Sequence, residues 1–271
     1  MYEHNTLLIV GILAVAILVA VELGYRVGRR KTKTVSDTTK SQVNAIQASL
    51  LAVLGLLLGF TFSLSLQRYD SRSLNVVDEA NSLGTTYLRA QMLPQGQQKA
   101  SKALLKEYLD ARIRASRISV KFSEERDSLV ARSGGIQDEL WELARVAAKE
   151  TGGPIVSLYV GSLNETIDSF SRRDAALNRY VPELVLYLLF GTFIMTGAVV
   201  GYASGLGDHR SAFATYALVL LIVLLVFVII DLDRPRRGFI EVSQNSLLEL
   251  QAVMNITVDL DEEVAGERSG P

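Results

Sequence analysis

The sequence predicts an all-α membrane protein: four transmembrane helices, with a helical polar domain inserted between spans two and three. Four apolar stretches each approach the roughly 20 residues that a helix needs to cross hydrocarbon. The mean hydropathy is +0.24 although 21% of the 271 residues are charged, so very apolar segments alternate with polar ones. The long polar block repeats apolar residues at three- and four-residue steps and lacks the alternation of a strand.

The first span runs from about Leu7 to Leu23, within a segment 1–25. A secretory signal would carry its basic stretch before the apolar run. Here the basic cluster follows, in a loop over 26–45, which favours an uncleaved anchor. The second span is expected over 46–66, the third over 181–204 and the fourth over 211–230. Ala217 to Ile230 contains no polar residue and is flanked by Arg210 and Arg234, a pattern rare in soluble cores.

Residues 67–180 form the polar domain. Val76, Ala80, Leu83 and Tyr87 share one helical face, and Leu104, Tyr108, Leu109 and Ile113 share another. Pro94 and Gly96 mark a break. Ser133-Gly134-Gly135 is expected to be a loop, Ile136 to Lys149 a helix with Trp141, and Gly152-Gly153-Pro154 a second break. No breaker separates span two from the helix after it, so the two should be continuous. The stretch 155–204 should extend span three in the same way, unless Pro182 kinks it. The segment 231–271 should hold a short amphipathic helix, Ser243 to Met254, and a disordered acidic tail.

Composition excludes several classes of function. With no cysteine there is no disulfide, thiolate nucleophile or Cys-based metal site. The two histidines, His4 and His209, lie near span ends and give no basis for a His-based metal cage or hydrolase triad. A net charge of −1 gives no reason to expect nucleic acid. No phosphate loop or nucleophile–base pair is visible, so neither catalysis nor a cofactor is expected.

Two small-residue faces stand out: Gly55, Gly59 and Ser63 in span two, and Gly197, Gly201 and Gly205 in span three. Small residues four apart let helices approach closely in lipid, within one subunit or between copies. Beside the first lies a face of Ala52, Leu56 and Phe60, with Ser63 at its margin. It either meets lipid and core or lines a pore with an apolar constriction. Asp78, Glu79, Asn81 and Arg89 form either a polar network or a solvated helix face. Asp231 and Asp233 should meet nearby arginines, Arg179, Arg234, Arg236 and Arg237.

These motifs together resemble the bestrophin-like family of bacterial membrane proteins. The resemblance rests on Leu57-Leu58-Gly59-Phe60-Thr61-Phe62-Ser63, Asp78-Glu79-Ala80-Asn81, Gly84-Thr85-Thr86-Tyr87-Leu88-Arg89, Leu186 to Gly191, and Asp231 to Gly238. It implies a multi-pass protein of the bacterial inner membrane. More remotely, Leu58-Gly59-Phe60 with Arg68-Tyr69 is similar to the pore neck of bestrophins, pentameric anion channels. That similarity implies a homo-oligomer in the lipid bilayer, passing small anions such as chloride or bicarbonate, with Phe60 in the constriction. Ala52 departs from the bulky residues of the bestrophin neck. Only Asp231 and Asp233 stand where animal bestrophins carry a calcium clasp, so no calcium is expected. The rival reading is a non-conducting scaffold or sensor whose helical domain binds a partner.

Loop charge and the family resemblance point to opposite orientations. Arg26, Arg29, Arg30, Lys31, Lys33 and Lys40 against Asp37 place 26–45 in the cytoplasm, and hence the polar domain outside. Arg68, Arg72, Arg172, Arg173, Arg179, Arg234, Arg236 and Arg237 nearly balance that lean, and bestrophins have the corresponding domain in the cytosol.

Overall fold

The computed structural model describes residues 6–118, 123–207, 212–234 and 238–268. Every described element is helical: α1 (Thr6–Lys31), α2 (Asp37–Ala90), α3 (Gln95–Arg117), α4 (Ser123–Glu150), α5 (Gly153–Leu177), α6 (Glu183–Leu206), α7 (Ala212–Asp233) and α8 (Asn245–Arg268). Four of these helices, α1, α2, α6 and α7, are long and apolar enough to cross a membrane. The chain divides into a membrane unit, Met1–Tyr69 with Tyr180–Ile240, and a polar unit, Asp70–Arg179 with Glu241–Pro271. Helix α2 is one continuous element of 54 residues that contributes to both.

In the membrane unit α1 and α6 run parallel at very short range. The backbone of Gly197 lies against Ile17, that of Gly201 against Val21, and that of Gly205 against Tyr25 and Arg29. The arrangement is reciprocal: Gly24 abuts Ala198 and Gly28 abuts Tyr202. A methyl group at Gly24, Gly28, Gly201 or Gly205 would overlap the facing backbone. The hydroxyl of Thr32 donates to the Gly205 carbonyl at 2.8 Å. Hydrocarbon gives no hydrophobic reward for association, so dispersion at such contacts holds the pair together. Ile17, Val21, Phe193, Ile222, Val226 and Ile229 complete this core, joined by Leu54 and Leu58 of α2.

The polar unit buries the face expected of α2: Val76, Ala80, Leu83 and Tyr87 pack with Leu105, Tyr108 and Leu109 of α3 and Ile136 and Leu140 of α4. Tyr159 and Leu163 of α5 and Leu247 and Met254 of α8 close the same core. Hydroxyl pairs tie α2 to α5, with Ser82 against Ser169 and Thr86 against Thr166, each at 2.8 Å. Pro94 caps α3. Gly152 and Gly153 take φ values of +58° and +85°, which side chains disfavour, so this break does need glycine.

Four expectations change. No loop forms at Ser133-Gly134-Gly135, because α4 runs straight through it. Each mid-helix glycine costs about 1 kcal/mol, which the burial of Ile136, Leu140, Ala144 and Ala147 on the same helix offsets. The basic segment 26–45 is mostly helix: α1 continues to Lys31 and α2 starts at Asp37, after the Ser36 side chain has capped it through the Thr39 amide. Helix α5 does not run into span three. It stops at Leu177, and Pro182 starts α6 as its N-cap. Finally, α8 continues past Met254 to Arg268, with no proline or glycine between Met254 and Gly266 to break it.

Candidate pore-lining helix and its polar anchors

Helix α2 carries the residues singled out in span two. Ala52, Leu56, Phe60 and Ser63 are all exposed in the isolated chain, Leu56 at 58% and Phe60 at 61%. Gly55 and Gly59 also meet nothing: a methyl group on either would enter open space. The buried residues of the same segment, Leu54, Leu58, Thr61 and Ser65, occupy the opposite face. At about 100° per residue this division persists through the polar segment of α2. Gln67, Asp70, Leu74, Asp78, Asn81, Thr85 and Leu88 continue the exposed stripe, and Arg72, Val76, Glu79, Leu83, Thr86 and Ala90 continue the buried one.

The two small-residue faces thus differ. That of α6 is filled by α1 of the same chain, whereas at Gly55 and Gly59 of α2 a Cβ would meet no atom of the described residues within 4 Å.

At the end of α7 the Asp-x-Asp-Arg motif forms a compact anchor in the membrane unit. Asp231 accepts the backbone N–H groups of Phe239 (2.8 Å) and Ile240 (2.9 Å). Gly238 leaves room for this, since a Cβ there would stand 2.9 Å from the Asp231 carboxylate carbon. Asp233 accepts the Val181 N–H at 2.8 Å and pairs with Arg68 at 3.4 Å. Arg234 donates to the Thr6 hydroxyl at 3.1 Å. The two carboxylates thus meet backbone amides and, at Asp233, Arg68. Arg236 and Arg237 lie outside the described residues, as do His4 and His209.

The expected network of Asp78, Glu79, Asn81 and Arg89 separates into two sites. Glu79 is fully buried in the polar unit. Its carboxylate accepts the Tyr108 hydroxyl and the Arg112 Nε–H, both at 2.6 Å, and it also pairs with Arg173. Burial pushes its pKa up, but the guanidinium groups of Arg112 and Arg173 outweigh this and hold it at about 2. Burial and the nearby Glu79 charge hold the Tyr108 phenol well above its ordinary value. Arg173 donates onward to Gln244 at 2.6 Å, and Arg112 stacks 4.6 Å over the Phe170 ring. Asp78, Asn81 and Arg89 instead line an open groove of about 540 Å³ with Thr85, Glu165 and Arg172. There Arg89 donates to the Leu158 carbonyl at 2.8 Å.

The bestrophin-like domain matches residues 14–247 of this sequence. The chain belongs to the bestrophin-like family. Its fold is similar to a bacterial bestrophin homologue from Klebsiella pneumoniae with one isoleucine replaced by threonine, at 12% identity and a TM-score of 0.57, covering 88% of this chain and 98% of the other. A second form of that homologue, with a leucine replaced by threonine, aligns at 13% identity and a TM-score of 0.59 over 89% and 97% of the two chains. No curated protein sequence matches.

Several residues that organise this bestrophin-like chain escaped the sequence reading. Gly24 and Gly28 carry the same four-residue spacing as the glycines of α6. Arg112 shares a face with Tyr108, and an arginine inside an apolar stripe signals a buried partner. Arg72 donates to the carbonyls of Ala176 (3.2 Å) and Arg179 (2.8 Å) and so caps the end of α5. Only its place in the Val76 stripe could have suggested this.

Proposed function

We propose that this bestrophin-like chain is the subunit of a homo-oligomeric pore, lined by α2, that passes small anions such as chloride or bicarbonate. The observation that carries the reading is the exposed stripe of α2. In the apolar span, lipid alone would satisfy it. Yet the same face continues into the polar segment, where Leu74 and Leu88 are 62% and 63% exposed and lipid is no partner. Copies arranged around an axis account for the whole stripe at once. Gly55, Gly59 and Ser63 would let neighbouring helices approach, and Leu56 and Phe60 would form an apolar constriction that resists wetting.

Purified protein in liposomes is expected to pass chloride or bicarbonate, and Phe60→Ala to raise the flux several-fold by widening and wetting the constriction. Absence of flux from a well-folded oligomer would remove the pore and leave the scaffold reading. The stripe also carries Asp70 and Asp78, so the reversal potential under a salt gradient should be measured in the same experiment, because it gives the sign of the permeant charge directly.

A further inference from the structure

The two ends of the membrane unit differ in charge. At one end Arg68, Asp233 and Arg234 are engaged as described. At the other, α1 ends in Arg29-Arg30-Lys31, and the link to α2 adds Lys33. Glu22 holds Arg26 at 2.8 Å and Asp37 holds Lys40 at 3.1 Å. Among the described residues no carboxylate pairs with Arg30, Lys31 or Lys33, and all three are exposed.

Arg30 and Lys31 close α1, and Lys33 lies in the folded turn that follows. The Lys31 carbonyl accepts the backbone N–H groups of Thr34 at 3.0 Å and Val35 at 3.2 Å. Thr32 ties the turn to the end of α6, and Ser36 starts α2. Their depth follows from helix length. At 1.5 Å per residue the 26 residues of α1 span about 39 Å, against about 40–45 Å for a bilayer with its headgroups. With Leu7 to Leu23 in hydrocarbon, Arg30 and Lys31 reach the level of the lipid phosphates.

We infer that the α1–α2 turn binds the phosphate headgroup of an anionic phospholipid through Arg30, Lys31 and Lys33. The pre-formed turn fixes the backbone that carries the cations before the lipid arrives, so only their side chains need ordering on binding. This site does not depend on the pore reading.

The test is native mass spectrometry of the full-length protein, equilibrated with equal amounts of phosphatidylglycerol and phosphatidylethanolamine. The folded protein should retain the anionic lipid at least about fivefold over the zwitterionic one, the factor that a single basic residue supplies at a charged surface. The triple variant Arg30→Gln, Lys31→Gln, Lys33→Gln should lose that preference, and Arg30→Lys, Lys31→Arg, Lys33→Arg should keep it. If the neutral variant does not fold, raising salt from about 0.05 to about 0.5 M on the unaltered protein should erase the preference instead. Equal retention of both lipids, or a preference unchanged in the neutral variant or in high salt, would overturn the site. Displacement of the lipid by millimolar inorganic phosphate would also overturn it, by making the turn a site for free anions.

Discussion

Replacing Glu79 by glutamine is expected to lower the unfolding temperature of the polar unit by roughly 10 °C, followed in detergent through the fluorescence of Trp141. The carboxylate lies between two buried guanidinium groups and also accepts the Tyr108 hydroxyl. Glutamine fits the space but leaves Arg112 and Arg173 without a buried counter-charge. Breaking a buried pair in this way costs about 3–5 kcal/mol, and each kcal/mol moves the midpoint of a unit of this size by about 2–4 °C. Adding Arg173→Met should recover part of the loss by removing one stranded charge. The same ion pair sets a pH dependence. A carboxyl with a pKa of about 2 in the fold, against 4.5 ordinarily, stabilises fully above pH 4.5 and loses that contribution as the pH falls from 4.5 towards 2. The gap between the wild-type and Glu79→Gln proteins should therefore narrow over that window. An unchanged midpoint in Glu79→Gln would refute the role given to this cluster.

Gly201→Leu is expected to prevent the membrane unit from assembling. A Cβ at Gly201 would overlap the Val21 backbone, which no rotamer change relieves. Separating α1 from α6 forfeits the close contacts that hold them together in lipid, at more than about 3 kcal/mol. The variant should aggregate, or elute in the void volume on size-exclusion chromatography. Gly11→Leu is the matched control, because nothing lies within 4 Å of a Cβ there. It should elute like the unaltered protein.

The contrast between these glycines shows where sequence reading reaches its limit. Apolar run length identified the four spans directly, since the hydrocarbon fixes the length required. The unbroken helix from span two into the polar unit was legible from the absence of proline. The Gly-x-x-x-Gly spacing announced close packing at both Gly55–Gly59 and Gly197–Gly201, but spacing along a helix does not say what stands opposite. Only the fold shows that α1 fills the face of α6 and that Gly55 and Gly59 of α2 face open space among the described residues. Gly134-Gly135 misled for a related reason: local propensity favours a turn, and the tertiary burial of Ile136 and Leu140 overrides it. In the candidate site, Asp78 and Glu79 differ by one residue, about 100° around α2. That rotation sends one to the open groove and the other to the core. Arg112 and Arg173, the partners of Glu79, come from α3 and α5, distances in sequence that no local pattern spans.

Because the sequence has no cysteine, the exposed face of α2 can be probed one position at a time. Single cysteines placed at Ala52, Leu56, Phe60 and Ser63, and at Leu54 and Leu58 on the opposite face, should be treated in proteoliposomes with a charged, membrane-impermeant thiol reagent while ion flux is recorded. The pore reading predicts that modification at the first four positions changes the flux and that modification at Leu54 and Leu58 does not. Equal sensitivity on both faces, or no effect at Ala52, Leu56, Phe60 and Ser63 in a conducting protein, would contradict it.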